Sequence, residues 1–490
     1  MLALYLITVL ALGWLCYRLF LDPLSHVPGP FISKLFPLYY IRMIRDGKHI
    51  FTLRELHDTY GPIVRVGPGD LSFATTSAFD SIYGFAADKS FAIAGSRRSL
   101  LVPQDTMVDI MLSNCITKES RQLLRPLVTS TLSEITGACS EQLFNAAFSE
   151  GLKLYRVGRT GSTPVTLSDM NNDYMWDLGS LLAFGKHAKR FSRSKFDILV
   201  DDNERFMCFL EMCFCFVDRF TVQRYRTAFY KVWRFFCYLA RMPTLQYGSD
   251  DHSNISFEDN HFARLKIAAK KAGEGKIADN YLELNSYSTK LSVYGTSHTS
   301  VNAIFYYLLK NPQSLKKVEE ELLSTFQSYS EISDERLAKL PYLNACINET
   351  LRIAPTFSAG ILQRVSKGAT VDGIYIPAGT GVSVDQYSLA HSEEHWESPG
   401  SFLPERWLDC KSRKNVKASR PFLIGPRQCP GRAIVYQLFR LAVGKTVYLY
   451  QMELMNKNFD IARHSSSCLA WTNIDLEVAM KPRVPDVLGY

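Results

Sequence analysis

The segment Phe422-Leu-Ile-Gly-Pro-Arg-Gln-Cys429-Pro-Gly-Arg432 is the most informative stretch of this sequence. Its cysteine lies between a Gly-Pro turn and a helix that we predict from Ala433 to about Tyr450. The amide groups at the start of this helix point toward the sulfur, and the helix dipole favours the thiolate over the thiol. Gly425 and Gly431 carry no side chains and leave room for a flat cofactor against the sulfur. Arg427 can bind an anionic group at the cofactor's edge.

The same segment resembles the haem-binding loop of the cytochrome P-450 superfamily, F-x-x-G-x-R-x-C-x-G, and every fixed position of that motif is present. A buried thiol in an ordinary turn is the commoner interpretation of a lone cysteine, but the complete motif favours the haem loop. The resemblance implies that Cys429 is the axial thiolate ligand of haem b, a donor that promotes O–O cleavage. Phe422, Gly425, Arg427 and Gly431 would complete the haem-binding loop.

Length and composition permit a large buried core. With 490 residues the chain exceeds the usual size of a single core, so length alone predicts two domains. The resemblance implies instead one mainly α-helical domain with small β-sheets, an α+β architecture. The net charge of +8 is scattered along the chain, which gives little support for nucleic-acid binding. The eleven cysteines match neither a zinc site nor a disulfide framework, so we expect reduced thiols.

The N-terminus predicts a membrane anchor. Residues 1–21 contain one charged residue, Arg18, and are about long enough to span a bilayer. Further basic residues follow this apolar run, so we expect the rest of the chain to be cytosolic. Residues 22–30 are rich in proline and form a stiff hinge. Microsomal members of the family begin in this way, which implies that residues 31–490 form a haem domain held at the endoplasmic reticulum membrane.

Four further stretches precede the central helix of the chain. Residues 60–73 alternate and carry Gly-Pro turns, which predicts a hairpin, and residues 176–185 predict an apolar core helix. Arg121 or Arg125 would replace a family partner of the haem propionates, although a solvated helix face is an equal alternative. Residues 206–242 are aromatic-rich; in the family this stretch roofs the substrate cavity, whereas such spacing more often indicates ordinary core.

A long helix over residues 278–309 should cross the haem face. In the family it carries A-G-x-[D/E]-T-[T/S], and flanking sequence on both sides places this motif at residues 292–297. Thr296 keeps the threonine, which would help deliver protons to bound dioxygen, while Gly295 replaces the acid. A shifted register would put His298 at the acid position, but helical geometry points His298 away from Thr296, which favours a structural role.

The same helix carries several hydroxyl groups. At about 100° per residue, Ser292, Thr296, Thr299 and Ser300 share one face, and Ser292 or Ser297 could assist Thr296 in a proton path. Lys290 is unexpected in a helix that is normally apolar, and the sequence gives no account of it.

Two later motifs indicate how the haem loop is held. Glu349-Thr-Leu-Arg352 precedes Pro404-Glu-Arg406-Trp407, matching the E-x-x-R and P-E-R-[FW] elements of the family in order and spacing. The resemblance implies a buried Glu349–Arg352–Arg406 network, and because two cations face one carboxylate we expect backbone carbonyls to complete it. Arg364 matches the arginine that contacts a haem propionate, and residues 355–362 should line the pocket.

We therefore interpret the chain as a membrane-anchored haem-thiolate monooxygenase of the fungal secondary-metabolism type. It would insert one oxygen atom into an apolar small molecule, the hard chemistry belonging to the haem. The sequence after the haem loop carries no flavin or nicotinamide motif, so a separate NADPH–cytochrome P-450 reductase, with or without cytochrome b5, would supply electrons. Two alternatives stay open: a reductase-independent isomerase or dehydratase, and a catalytically impaired haem-binding protein.

Overall fold

The computed structural model describes residues 1–36, 47–93, 118–155, 164–187, 259–273, 277, 279–357, 363–409, 416–467 and 471–483. Within these segments the chain is mostly helical. The α-helices are α1 (Leu2–Cys16), α2 (Phe31–Leu35), α3 (His49–Tyr60), α4 (Thr76–Tyr83), α5 (Ala87–Ser90), α6 (Lys118–Ile135), α7 (Ala138–Leu154), α8 (Leu167–Phe184), α9 (His261–Lys271), α10 (Asp279–Ser292), α11 (His298–Lys310), α12 (Pro312–Thr325), α13 (Asp334–Leu337), α14 (Pro341–Ile353), α15 (Gln386–Ala390), α16 (Arg432–Leu449) and α17 (Ile461–His464).

Shorter helical turns and strands join these helices. Among the described residues, Tyr17–Leu21 and Val293–Ser297 are π-helical, and Tyr329–Glu331, Pro404–Trp407 and Gly425–Arg427 are 3-10 turns. The strands are β1 (Ile63–Gly67), β2 (Asp70–Phe73), β3 (Phe91–Ile93), β4 (Pro164–Thr166), β5 (Arg364–Ser366), β6 (Ala369–Val371), β7 (Ile374–Ile376), β8 (Gly381–Val384), β9 (Tyr450–Leu454), β10 (Ser466–Ser467), β11 (Trp471–Thr472) and β12 (Glu477–Pro482).

The strands form small sheets at the edge of the helical body. The largest described sheet has the order β1-β2-β8-β5-β3, and a smaller one has the order β4-β12-β9. The predicted hairpin at residues 60–73 is confirmed, since β1 and β2 pair antiparallel with Ile63 opposite Phe73. β2 pairs with β8 in parallel, which brings the N-terminal hairpin against sequence that lies some 300 residues later. This mainly α architecture with small sheets agrees with the predicted fold class.

Prolines and capping side chains determine where several of the helices begin. Pro312 and Pro341 occupy the first turns of α12 and α14, where a missing N–H does no harm. The Thr75 hydroxyl accepts from the Ala78 amide at 3.1 Å, and the Asn260 side chain accepts from Ala263 at 3.0 Å. These caps satisfy amides that the helices themselves leave without partners.

The central core forms where α8 packs against α7, α10, α11 and the π-helical segment 293–297. α16 lies against α7, α11 and α14, so the helix that follows the cysteine loop is part of the same core. The apolar side chains there are almost fully buried, among them Phe144, Leu178, Phe305, Leu343 and Val443. The predicted helices at 176–185, 278–309 and 433–450 are confirmed as parts of α8, of α10 to α11 and of α16, and the central helix divides around a π-helical segment.

The N-terminal segment is helical and apolar. α1 has 15 residues and runs into the π-helical turn, and Tyr5, Leu10, Phe20 and Leu21 are exposed. In the part of the chain that the structure describes, no helix is both long and apolar enough to cross a membrane, so the predicted spanning anchor is not confirmed.

A buried ion-pair cluster fixes the start of the hinge against the first sheet. Arg65 is fully buried in β1 and donates to the Asp22 carboxylate at 2.9 Å, and Arg18 donates to the same carboxylate oxygen at 2.8 Å. The Leu24 amide donates to the other oxygen at 2.8 Å. The single carboxylate therefore neutralises a guanidinium that has no access to water.

Removal of this carboxylate should destabilise the fold. We expect Asp22→Ala to lower the free energy of unfolding by about 3 kcal/mol, because Arg65 would keep a buried charge without its counterion. Glu335→Ala, which breaks the exposed pair with Lys339, should produce no measurable change. Urea denaturation of both variants checks the difference, and equal stabilities would contradict it.

Candidate active site

The backbone of the cysteine loop is closed by its own hydrogen bonds. The Cys429 amide donates to the Phe422 carbonyl at 2.9 Å, and the Gln428 amide donates to the Gly425 carbonyl at 3.1 Å. Leu423 and Gly425 both have positive φ, 58° and 69°, which turns the chain sharply before the cysteine. The loop thus holds Cys429 three residues ahead of α16, which begins at Arg432.

The structure requires glycine at residue 425 but not at residue 431. A Cβ on Gly425 would lie 2.4 Å from the Tyr83 carbonyl oxygen, so both its positive φ and the close approach of α4 demand glycine. A Cβ on Gly431 would lie 3.9 Å from the Cys429 sulfur, which is ordinary contact. From the sequence we expected both glycines to leave room for a cofactor. At Gly425 the structure gives a different reason for glycine, the close packing of two backbone segments.

Burial opposes ionisation of the cysteine. It raises the pKa of the Cys429 thiol above its ordinary value, while the Gly431 amide and the nearby Arg125 and Arg432 guanidinium groups act in the opposite direction. The sequence predicted that the helix start would favour the thiolate, and in the protein alone that effect is outweighed by burial. Ligation to a metal ion would remove this proton outright.

Four arginines predicted near a cofactor occupy distinct positions. Arg125 on α6 donates to the Gln428 carbonyl at 3.1 Å and so lies beside the cysteine loop, whereas Arg121 pairs with Asp88. Arg364 on β5 is buried, with its guanidinium 5.1 Å from the Tyr83 ring centroid, and burial lowers its pKa. Arg427 is half-buried in the 3-10 turn before the cysteine.

The central helix widens at the motif that departs from the family pattern. Residues 293–297 are π-helical, and a Cβ placed on Gly295 would meet no atom within 4 Å. Thr296 is half-exposed and its hydroxyl donates to the Ser292 carbonyl at 2.6 Å. Open space and an accessible hydroxyl therefore occur side by side, and π-helical turns of this kind are frequent at functional sites.

The hydroxyls that the regular 100° spacing places on one face differ in burial and in hydrogen-bond partner. Thr299 is buried and donates to the Trp471 carbonyl at 3.1 Å. Ser300 is buried and hydrogen-bonds the Thr356 hydroxyl at 2.6 Å. Ser297 is fully buried, and its hydroxyl has no hydrogen-bond partner among the described residues. The π-helical turn shifts the register, and only Ser292 and Thr296 remain on the accessible side.

His298 and Lys290 both pack against aromatic rings. The His298 ring stacks on Tyr294 at 4.8 Å, and its Nδ1 lies 2.5 Å from the Tyr294 carbonyl. Lys290 is buried with its ammonium 3.9 Å from the centroid of Trp176. The structure thus gives Lys290 a packing partner that the sequence did not indicate.

Glu349, Arg352 and Arg406 form one buried network. Arg352 donates to both Glu349 oxygens at 2.8 and 2.9 Å, and Arg406 donates to one of them at 3.0 Å. The remaining guanidinium N–H groups bind backbone carbonyls, those of Ala390, Pro399 and Ser401 for Arg352 and those of Glu397 and Ser398 for Arg406.

Sequence reasoning missed one member of this network. The Trp407 indole donates to Glu349 at 2.9 Å, and its ring lies against Trp396, which both guanidinium groups also approach. Trp407 is part of the P-E-R-W element, so the sequence did contain a motif that could have pointed to it. Nothing in the sequence, however, indicated which group its indole N–H would bind.

Part of the predicted pocket lies outside the described residues. This applies to the aromatic stretch 206–242 and to residues 358–362 of the segment 355–362. In the segments that the structure describes, no group of three or more His, Cys, Asp or Glu side chains could hold a metal ion. A single cysteine with guanidinium groups nearby, and no cluster of further metal-binding side chains among the described residues, suits a haem iron rather than a protein-ligated metal.

Comparison with known proteins agrees with this geometry. A family model described as cytochrome P-450 matches residues 28–473. The chain is 50% identical over 494 residues to the cytochrome P-450 monooxygenase bfoB of Aspergillus brasiliensis, covering all of both chains. It is 46% identical over 479 residues to aunB of Aspergillus niger, covering 98% of this chain and 100% of the relative. Sesterfisheric acid synthase of Neosartorya fischeri is 28% identical over 520 residues, with 92% and 90% covered.

The chain belongs to the cytochrome P-450 family and is a haem-thiolate monooxygenase. Its cofactor is haem, whose iron takes a cysteine thiolate as axial ligand. The site fits this group: open space adjoins Gly295 and Thr296, and the buried guanidinium of Arg364 complements the carboxylates of a haem.

The buried Lys290 should make stability depend on pH. Burial lowers its pKa to about 8 from 10.5, although Asp177 opposes the shift. Between these values the unfolded chain binds the proton that the folded chain has lost, so this lysine makes stability rise with pH there. We expect the stability of Lys290→Met relative to the parent to fall as pH rises from 8 to 10.5. Denaturation across this range checks it, with exposed Lys339→Met as control; parallel curves for Lys290→Met and the parent would contradict it.

Proposed function

We propose that this protein inserts one oxygen atom from dioxygen into an apolar small molecule in fungal secondary metabolism. The cysteine loop carries the proposal: Cys429 stands in a complete haem-loop motif, in a backbone turn closed by hydrogen bonds to Phe422 and Gly425. The full-length likeness to fungal monooxygenases supports the class of reaction. The other described cysteines are Cys16, Cys139 and Cys346, and none of them lies in such a loop.

In this proposal Cys429 is the axial ligand, and cationic side chains hold the cofactor's edge. When bound, the haem supplies the activation of dioxygen and the transfer of one oxygen atom. Arg364 and Arg427 bind the carboxylate groups, with Arg125 held beside the loop by the Gln428 carbonyl. The Glu349 network fixes the chain that leads into the loop.

We propose that Thr296 helps to deliver protons by holding a water molecule at the oxygen site. Its hydroxyl hydrogen is engaged with the Ser292 carbonyl, which leaves oxygen lone pairs that can accept from water. Since Gly295 has no side chain and open space beside it, water can occupy the position where the family has an acid. The hydroxyl and this water together would pass protons to the oxygen site.

Electrons would come from a redox partner. Enzymes of this family generally use a reductase, and we propose a separate NADPH–cytochrome P-450 reductase, with cytochrome b5 as a possible second donor. Turnover of the purified protein with NADPH alone would contradict this partner requirement, and conversion of substrate without any reductant would favour the isomerase or dehydratase alternative.

Loss of Cys429 should abolish the thiolate spectrum. The reduced carbon monoxide complex of the parent should show the red-shifted Soret band of thiolate ligation, and Cys429→Ala should lose it because no other sulfur occupies the loop. Cys346→Ala, a buried cysteine in α14, should keep the band. A Cys429→Ala protein with an unchanged band would overturn the assignment.

Loss of the Thr296 hydroxyl should uncouple turnover. We expect Thr296→Ala to lower product per NADPH oxidised by about a hundredfold, the lower end of general acid–base effects, while the hydrogen peroxide released per NADPH rises. Thr299→Ala removes a buried hydroxyl bound to the Trp471 carbonyl and should leave this ratio close to that of the parent. A larger loss of coupling in Thr299→Ala than in Thr296→Ala would favour the shifted register of the motif, in which Thr299 takes the place of Thr296.

We further propose that residues 1–21 hold the chain at the endoplasmic reticulum membrane with the haem domain in the cytosol. The exposed apolar side chains of α1 and the following turn support this. Deletion of residues 1–21 should move the protein from the membrane pellet to the supernatant, and protease should digest the haem domain of the full chain in sealed microsomes. Full protection from protease would contradict this orientation.

A further inference from the structure

A column of four side chains runs along the side of the central helix opposite Thr296. It consists of Lys290, Tyr294 and His298, spaced one turn apart, together with Trp176 from α8. Lys290 lies 3.9 Å above the Trp176 ring, and Trp176 meets the edge of Tyr294 at 5.1 Å and 85°. His298 stacks on Tyr294 at 4.8 Å and 18°. We call this set the distal column.

The distal column brackets the π-helical segment 293–297. Tyr294 lies inside the segment, while Lys290 precedes it and His298 follows it. The His298 backbone N–H bonds the Tyr294 carbonyl, and Nδ1 of the same histidine lies 2.5 Å from that oxygen. Because a carbonyl can only accept, Nδ1 carries the proton. Ring stacking and this doubled bond both hold Tyr294 against the turn that follows it.

Neighbouring helices leave the column little freedom to move. Tyr294 is fully buried, and a Cβ on Gly179 of α8 would lie 2.9 Å from the Lys290 carbonyl, so the two helices touch there at backbone level. On the other side of the segment Thr296 is half-exposed and Gly295 adjoins open space. Two residues of helix turn the chain by roughly 200°, which places Thr296 nearly opposite Tyr294.

From this arrangement we infer that the distal column holds residues 293–297 in the π-helical conformation and thereby orients Thr296 toward the haem side. The inference rests on the proposed function, since it gives Thr296 its orientation. Tyr294 and His298 are positioning residues: they act through the backbone of the segment and do not need to touch substrate or cofactor. A regular α-helix here would rotate every residue after the segment relative to those before it.

Three substitutions at His298 separate its ring from its hydrogen bond. His298→Leu removes both, His298→Gln keeps a donor without a ring, and His298→Phe keeps a ring without a donor. The matched control is Phe148→Leu, because Phe144 and Phe148 form a stack of the same spacing within α7, at 5.4 Å and 18°. Each full-length holoenzyme is first checked for the thiolate carbon monoxide spectrum, and if His298→Leu fails to fold the Gln and Phe variants carry the test.

Hydrogen exchange of the amides of residues 293–299 gives a readout that does not depend on activity. We expect roughly threefold to tenfold faster exchange in His298→Leu and His298→Gln, a smaller increase in His298→Phe, and none in Phe148→Leu. Unchanged exchange in both His298→Leu and His298→Gln, or an equal increase in the control, would overturn the inference.

The product formed per NADPH oxidised, which we call coupling, then tests whether the conformation of residues 293–297 orients Thr296. Product per NADPH oxidised should be highest in His298→Phe, lower in His298→Gln and lowest in His298→Leu. The KM should change little in all three variants. Faster exchange with parental coupling, while Thr296→Ala uncouples, would show that the column does not orient Thr296 and would overturn the inference. If Thr296→Ala itself leaves coupling unchanged, the proton role of Thr296 fails, whereas the exchange result still decides whether the column holds the segment.

Discussion

The buried carboxylate of Glu349 is the constraint on which the cysteine side of this structure depends. It has no exposure to solvent and accepts hydrogen bonds from Arg352, Arg406, the Trp407 indole and the Leu403 amide. An ion removed from water is tolerated only when each of its oxygens is satisfied in this way. The network therefore fixes residues 397–407 against α14, and the chain that leads to the cysteine loop starts from a rigid position.

A second constraint acts at the other end of that chain. The loop turns through positive φ at Leu423 and Gly425, and the latter touches the Tyr83 carbonyl so closely that no side chain fits. The cysteine sulfur is placed by backbone hydrogen bonds and by this contact rather than by packing of its own side chain. Because α16 belongs to the central core, the same backbone connects the cysteine directly to that core.

The opposite side of the site is built differently. Where the family pattern has an acid, this chain has Gly295 beside open space, and the helix is widened into a π-helical turn. The hydroxyl groups near this turn differ in their surroundings. Thr299 and Ser300 hydrogen-bond buried partners, whereas Thr296 stays accessible. The absence of a side chain at Gly295 thus coincides with a change in backbone geometry, and the Thr296 hydroxyl beside it stays accessible.

Local signals in the sequence were sufficient for the elements with strong periodicity or punctuation. Alternation and Gly-Pro turns predict the hairpin at 60–73, the family resemblance predicts the helix at 278–309, and the Gly-Pro turn at the cysteine precedes the helix predicted at 433–450; the structure contains all three. The pairing of Glu349 with Arg352 is equally local, because residues three apart on a helix are neighbours. The complete cysteine motif indicates the family from the sequence alone.

The remaining features depend on contacts between distant parts of the chain. The need for glycine at residue 425 comes from Tyr83, and the burial of Lys290 against Trp176 joins two helices that lie more than a hundred residues apart. The raised pKa of the Cys429 thiol reflects its burial by distant parts of the chain, which no local sequence pattern reports. The sequence by itself determined the family and the main helices, and its motif singles out Cys429 as the proposed ligand. The tertiary structure decided which hydroxyl stays accessible and which charges are buried, because burial is a property of packed neighbours and not of spacing along the chain.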